Sequence, residues 1–345
     1  MKFPGLIDVH VHLRVPGAEH KEDFFSGTAA ALAGGFTTVM AMPNTNPPIL
    51  SAAEWSNIQN QAQREGLCEV VLYGGATIAS MGNLAELSQS APALKVYLDP
   101  TYGYLKVEGF EDLFRIAQLW PQQKVIALHA EGESIQAGIS LATQLHRPVH
   151  FCHISRREEI EMIAGAKAKG APITCEVTPH HLFLTRADAQ QLGSLGDMRP
   201  CLADQRDVDS LWEHINSTID VIASDHAPHT LAEKADPHNP PPGVPGLESA
   251  LPLMLAAVAE GRLSIERLIT LMHTNPLRIF GLTAQPDSWV EVDLNESYTF
   301  PDHALYTKCG WSPFTGYPMH GRILRVIFNG REVVAKGIVH GFARK

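Results

Sequence analysis

His10-Val11-His12 ends the apolar run Gly5-Leu6-Ile7-Asp8-Val9. Alternate residues of a strand face one side, so the two imidazoles project together from a strand's end. Neutral imidazoles converging in this way suit a borderline divalent ion such as zinc. A single pair reads equally well as polar histidines at a strand terminus, so the choice depends on what other residues reach the same place. Arg14 follows the pair closely. Asn44 ends a second apolar run, His129 and His153 end two more, and Asp225 ends another with His226 and His229 just behind it. Lys95 lies inside Leu-Lys-Val-Tyr-Leu, where an apolar setting disfavours the charged form of a lysine and leaves a nucleophilic amine. Such an amine adds carbon dioxide to give a carbamate, an anionic ligand able to bridge two metals about 3.5–4 Å apart. With His10, His12 and Asp225 on one ion and His129 and His153 on the other, the ligand count closes.

These residues need a scaffold that gathers strand ends. Short apolar, β-branched runs occur at 6–13, 36–42, 69–75, 94–98, 125–130, 149–154, 173–178 and 220–225. Helix-like segments lie between most of them, at 22–33, 52–65, 110–119, 134–145 and 156–169. Strands alternating with helices imply a parallel sheet, and eight such units imply a closed (β/α)8 barrel with its active residues at the C-terminal mouth. The competing open doubly wound sheet would carry Gly-x-Gly-x-x-Gly after the first strand, and the chain has none there. Beyond the eighth run a Pro-rich loop at 237–245 leads into apolar helices near 247–260 and 264–272. The tail then alternates at Val290–Leu294 and shows a hairpin around Asn329-Gly330. The expected division is a barrel over 1–286 and a small β appendage over 287–345.

At 345 residues the chain can bury a large core. A formal charge of −10 argues against nucleic acid as a partner. No stretch approaches a membrane span, and the first residues do not form a signal peptide. The five scattered cysteines read as reduced thiols, which points to a cytoplasmic setting.

The combination His10-Val-His-Leu-Arg14, Met42-Pro-Asn44-Thr, Lys95, His129-Ala-Glu, His153 and Ser224-Asp-His-Ala-Pro-His229 closely resembles the dihydroorotases of the amidohydrolase superfamily. Within them the resemblance is to the dihydroorotase domain of the animal multifunctional pyrimidine enzyme. It is carried further by Gly27–Gly35, Thr174–Leu184 and Pro240-Pro-Pro-Gly243. The resemblance implies two zinc ions bridged by a carbamylated Lys95. It also implies reversible closure of N-carbamoyl-L-aspartate to L-dihydroorotate through a metal-bridged hydroxide, with Asp225 as general base and then acid. Arg14 suits bidentate carboxylate recognition, with Asn44 and His229 adding donors. Arg199, Pro242 and Gly243 are expected to hold the ring edge, largely through backbone atoms. Asp99-Pro-Thr101-Tyr102-Gly103 reads as a lid, Thr101 bonding substrate and Tyr102 excluding water.

Cys152 and Glu176 hold a third zinc, with the far nitrogen of His129 bridging, or else Glu176 orients a histidine from behind. In a regular strand Cys152, next to His153, faces the other way. His180 and His181 are expected to be structural. Family members carry a segment before the first barrel strand that completes a β-sandwich with the tail; here the barrel starts almost at once, so a reduced appendage is expected, as in a piece of a longer polypeptide. Expected partners are a second copy, as a homodimer, and an aspartate carbamoyltransferase. The rival readings are a hydantoinase, dihydropyrimidinase or allantoinase with the same metal mouth, and an inactive homologue that scaffolds a carbamoyltransferase. Arg14 argues against a substrate without a carboxylate, and the complete ligand set argues against the inactive homologue.

Overall fold

The computed structural model describes residues 1–101 and 105–341. After a short edge strand β1 (Lys2–Pro4) come the strands of a parallel barrel: β2 (Leu6–Val11), β3 (Phe36–Ala41), β4 (Glu69–Leu72) with its continuation β5 (Gly74–Gly75), β6 (Leu94–Tyr97), β7 (Ile126–His129), β8 (Val149–Phe151), β9 (Ile173–Val177) and β10 (Val221–Ile222). Each expected apolar run holds one of these strands, with β4 and β5 sharing the third. Neighbours pair in parallel from β2 to β4 and from β5 to β10. Tyr73 N–H bonds the Ala41 carbonyl at 3.1 Å and Gly74 N–H the Ala93 carbonyl at 3.0 Å, joining the two arcs. The ring closes where Val11 bridges His226, with His12 N–H donating to the His226 carbonyl at 2.7 Å.

The first two helices between strands start on side-chain caps that their sequences advertise. Asp23 caps Phe24–Ala33 and exchanges bonds with Ser26, and Ser51 caps Ala52–Glu65. Phe24–Ala33 is rich in small residues and nearly all buried, which lets it approach its neighbours closely. A side chain at Gly34 would meet the Leu247 carbonyl at 2.1 Å. Because helices cover the outside of the barrel and side chains fill its inside, β2 and β3 are buried at every position. That is why their sequences read as continuous apolar runs.

The tail forms an antiparallel sheet with β11 (Trp289–Thr299), β12 (Pro318–Phe328), β13 (Arg331–Ala335) and β14 (Ile338–Val339). Asn329 and Gly330, at φ 49° and 74°, make the tight turn between β12 and β13 that Asn-Gly calls for. The first residues of the chain join this sheet, Lys2–Pro4 pairing antiparallel with Trp289–Glu291. Two buried carboxylates tie the segment between β11 and β12 to the barrel: Glu248 accepts the Tyr306 and Thr307 N–H groups, and Glu22 bonds His226, Thr307 and Lys308. Among the described residues no helix is long and apolar enough to cross a membrane.

Candidate active site

The ends of β2, β6, β7, β8 and β9, together with the segment after β10, converge at one mouth. His10 and His12 leave β2 on the same side, with Nε2 atoms 3.3 and 3.2 Å from Asp225 Oδ1. One ligand atom from each lies within 4.8 Å of the others. His129 and His153 face each other, Nδ1 to Nε2, at 2.8 Å. Lys95 is fully buried beside them and donates from Nζ to Cys152 Sγ at 2.7 Å.

The rear of the cluster is a hydrogen-bond chain. Glu176, fully buried, faces His10 Nδ1 at 2.5 Å through one oxygen and His150 Nε2 at 3.0 Å through the other, and accepts the His153 N–H at 3.1 Å. Burial pushes the Glu176 carboxyl up, but the His10 charge and the bonds from His10 and His150 outweigh it and hold it well below the usual range. Asp225 behaves alike, held low against burial by His10 and His12. Burial likewise opposes a charge on His10, yet Asp225 and Glu176 raise it to about 10. His12 is pushed down to about 4 by burial in spite of Asp225, and burial lowers His129 and His153 too.

These residues fit a bound metal. Two buried carboxylates converge on His10, where a dication would supply the balancing positive charge, and burial favours the neutral form of His12, His129 and His153, the form that ligates metal. Nδ1 of His153 and Nε2 of His180 are buried without a hydrogen-bond partner among the described residues, and such nitrogens are natural ligand atoms.

Two details differ from the sequence reading. Cys152 does not face away: the strand ends at Phe151, and His153 adopts a left-handed φ of 34°, so Cys152 and His153 both turn inward. Cys152 and Glu176 group with His10, not with His129. Both ring nitrogens of His129 are engaged, by His153 and by Glu131 at 3.2 Å, whereas the far nitrogen of His10 looks toward Glu176.

Beside this cluster lies a cationic corner. Arg14, at φ 63°, donates from Nε to the Pro228 carbonyl at 3.1 Å and places a terminal nitrogen 3.0 Å from His229 Nε2. His229 also faces the Pro242 carbonyl at 3.0 Å and Lys21 Nζ at 3.1 Å. Burial, then Arg14, Lys21 and Lys234, hold its imidazole well below the ordinary range and therefore neutral. Asn44 Oδ1 accepts from His12 Nδ1 at 2.9 Å, which leaves Nε2 to face the cluster. Arg199 turns its guanidinium back to Asp197 and the Met198 carbonyl. Gly243, at φ 137°, has room for no side chain: a Cβ would meet the Ala227 carbonyl at 2.6 Å. Thr101 lines a cavity of about 130 Å³ with Asn44, Tyr97 and Asp99, and Asp99 is pinned by the Glu131 N–H and Ser134. Tyr102 lies outside the described residues. His181 bonds Thr178 and the Pro200 carbonyl.

Sequence reasoning missed Lys21, His150, Lys234 and Trp311. Lys21 sits in a charged run that reads as surface, and His150 is masked by its metal-facing neighbours. Trp311 Nε1 donates to the His229 carbonyl at 2.8 Å across 82 positions of sequence, a contact that no local pattern reports.

A family model described as Dihydro-orotase-like matches residues 1–111. The chain is 45% identical over 340 residues to the multifunctional protein CAD of Squalus acanthias, covering 98% of this chain and 15% of that one. It is 33% identical to a dihydroorotase of Pyrococcus furiosus, covering 99% of this chain and 83% of the relative. Among solved structures, the L-hydantoinase (dihydropyrimidinase) of Arthrobacter aurescens superposes with a TM-score of 0.91 at 25% identity, over 98% of this chain and 86% of that one. An inactive dihydroorotase-like domain of a Chaetomium thermophilum CAD-like multifunctional protein gives 0.85 at 25% identity, over 100% and 98%. The chain spans about 15% of the length of the multifunctional relatives it matches. Judged by its match over most of the length of the Pyrococcus enzyme, the chain belongs to the dihydroorotase family.

Proposed function

We propose that the chain interconverts N-carbamoyl-L-aspartate and L-dihydroorotate, the ring-closing step of pyrimidine synthesis, as a zinc-dependent cyclic amide hydrolase. One observation carries the reading: the cation-ready cluster of His10, His12 and Asp225 stands next to a guanidinium corner of Arg14 and His229. The first part suits amide hydrolysis, and the second selects a ring that bears a carboxylate.

His10, His12 and Asp225 would hold one ion and His129 and His153 a second, with Lys95, as its carbamate, the ligand common to both. Bound zinc supplies a Lewis acid for the amide carbonyl and lowers the pKa of water. Asp225 takes the proton of the attacking water on its carboxylate and returns it at the ring nitrogen as the amide bond opens; closure runs the same path backwards. Glu176 orients His10 through Nδ1, and the group His10, Cys152 and Glu176 supports a third ion as a further option. Arg14 and Asn44 hold the substrate carboxylate, with His229 beside them. Backbone groups of Arg199, Pro242 and Gly243 take the ring edge, and Thr101 and Tyr102 close over it.

We infer the same two-part division, a catalytic barrel over 1–286 and a β unit over 287–345, with Lys2–Pro4 lent as an edge strand to the second unit's sheet. Likeness to multifunctional proteins supports a chain working beside other activities. A homodimer, association with an aspartate carbamoyltransferase and a cytoplasmic setting belong to the same reading.

The test is ring opening of dihydroorotate by the metal-loaded chain, against hydantoin and dihydrouracil as rings without the carboxylate. Strong preference for dihydroorotate is expected. Equal or better turnover of hydantoin would move the assignment to the hydantoinases, one of which this chain resembles in fold. A fully loaded chain without turnover would favour the scaffold reading suggested by the inactive domain.

A further inference from the structure

Lys234 ends the short helix Leu231–Lys234, just beyond the segment that carries Asp225 and His229. Only 1% of its surface is exposed. Its ammonium donates to three backbone carbonyls, those of Asp197 and Pro241 at 3.0 Å each and of Gly243 at 3.2 Å. A lysine has three N–H bonds to give, and here each goes to main chain. Burial opposes the charge and pushes it down to about 8; the Asp197 carboxylate works against this and Arg199 adds to it. Burying an ammonium is costly, and a linear apolar side chain would fill the same space without that cost. What the ammonium adds is geometry.

The three carbonyls belong to two segments distant in sequence, and both supply the expected ring-edge contacts: Asp197 adjoins the Arg199 segment, and Pro241 and Gly243 flank Pro242. Gly243 N–H donates back to the Asp197 carbonyl at 2.9 Å, so that one oxygen receives bonds from both Lys234 and Gly243. Pro242 in turn faces His229. The Trp311 ring lies 5.7 Å from the ammonium while its N–H holds the His229 carbonyl, so the tail covers the knot from outside. A cyclic ureide edge presents N–H and C=O groups at fixed spacing. Backbone groups that meet it have no rotamers with which to adapt, so their separation must be set by something rigid.

We propose that Lys234 is a positioning residue for the ring-opening reaction: its three N–H bonds fix the distance between the Arg199 segment and the Pro242–Gly243 segment, and so the width of the slot that receives the substrate's ring edge. The proposal rests on the function proposed above. Lysine makes such a knot because its three donors diverge from one atom, whereas an arginine fork is planar.

Lys234→Met keeps the stem and removes the three bonds. With dihydroorotate, KM should rise about tenfold or more while kcat changes by less than about threefold. Deuterium uptake should quicken at the amides of 197–199 and of Gly243, Pro241 and Pro242 carrying none, and nowhere else, and metal content should match wild type. A folded Lys234→Met with wild-type KM, or with a fall in kcat at unchanged KM, overturns the proposal, as does unchanged exchange in both segments. Should the methionine variant not fold, Lys234→Gln is read by the same criteria. Its amide keeps at most two of the bonds, so an intermediate rise in KM is expected and no rise overturns the proposal. A wild-type chain inactive on dihydroorotate would refute the functional reading, whereas the exchange measurement tests the knot without substrate.

Discussion

Replacing Glu176 by Gln tests whether the rear of the cluster is built to hold metal. The carboxylate meets His10 at 2.5 Å, His150 at 3.0 Å and the His153 N–H at 3.1 Å. An amide can keep all three contacts in number. Its oxygen accepts from His10 and His153, and its NH2 donates to His150 once that ring moves its proton to Nδ1, where Thr174 Oγ1 at 2.9 Å can accept it. The variant therefore removes charge and very little shape. A hydrogen bond to a charged group contributes about 1.5–3 kcal/mol and a neutral one about 0.5–1.5, so the support behind His10 should weaken by roughly 1–2 kcal/mol. Losing a partner behind a ligating histidine typically costs about 10–100-fold in metal affinity, which agrees. We expect Glu176→Gln to fold, to melt within a few degrees of wild type, and to give up its metal to a competing chelator at about 10–100-fold lower chelator concentration. Metal analysis along a chelator titration is the assay. A variant that folds and holds metal as tightly as wild type would refute the claim that Glu176 acts through His10.

Three further outcomes follow from the same geometry. Arg14→Lys exchanges a guanidinium braced at Pro228 and His229 for a point charge; kcat/KM for dihydroorotate should fall about 30-fold, roughly 2 kcal/mol, with a much smaller effect on hydantoin in parallel assays. Gly243→Ala forces a side chain onto a φ of 137° and to within 2.6 Å of the Ala227 carbonyl; it should destabilise by about 2–3 kcal/mol and raise KM, read by denaturant melts and steady-state kinetics. Glu233 is held down to about 2, since bonds from His20, Thr230 and Lys21 outweigh a burial effect that would raise it. Its folded value lies below its ordinary 4.5, so its contribution to stability is complete above that pH and is lost as pH falls toward 2. The difference in melting temperature between wild type and Glu233→Gln should be present at neutral pH and shrink through that window; a difference independent of pH would show that the ionic form of Glu233 adds nothing.

The barrel was legible because a parallel strand buried on both faces must be largely apolar, and the eight runs are, with Asp8, His10, Lys95, His150 and Glu176 as polar exceptions that gather toward the site. The convergence of His10, His12, His129, His153 and Asp225 was legible because a barrel places strand ends at one mouth, so histidine or aspartate closing a run is informative at the level of the element. Local backbone escaped that reasoning. Strict alternation set Cys152 opposite His153, and periodicity alone cannot report the left-handed turn that brings them to one side. Contacts made across the chain escaped for a different reason. Lys2–Pro4 pairs with β11, Trp311 reaches His229, and Lys234 reaches Asp197; each depends on tertiary docking, and none of these residues sits in a pattern that announces its partner.

The left-handed residues follow a pattern of their own. Arg14, His153 and Asp225 take φ of 63°, 34° and 45°, in a region that costs non-glycine residues about 1–3 kcal/mol each. All three stand where a barrel strand has just ended, and each carries a side chain assigned to the chemistry. A regular strand can lend only every second residue to the mouth, so a site needing several groups from one strand end must break the alternation. At His153 the break turns Cys152 inward beside Lys95. At Arg14 it lets the guanidinium leave the line of His10 and His12 and reach Pro228. At Asp225 it sets one carboxylate oxygen between the two imidazoles that leave the neighbouring strand β2. The strain is therefore borne at the junctions where strand geometry alone could not assemble the site, and the rigid barrel beneath holds those junctions in place.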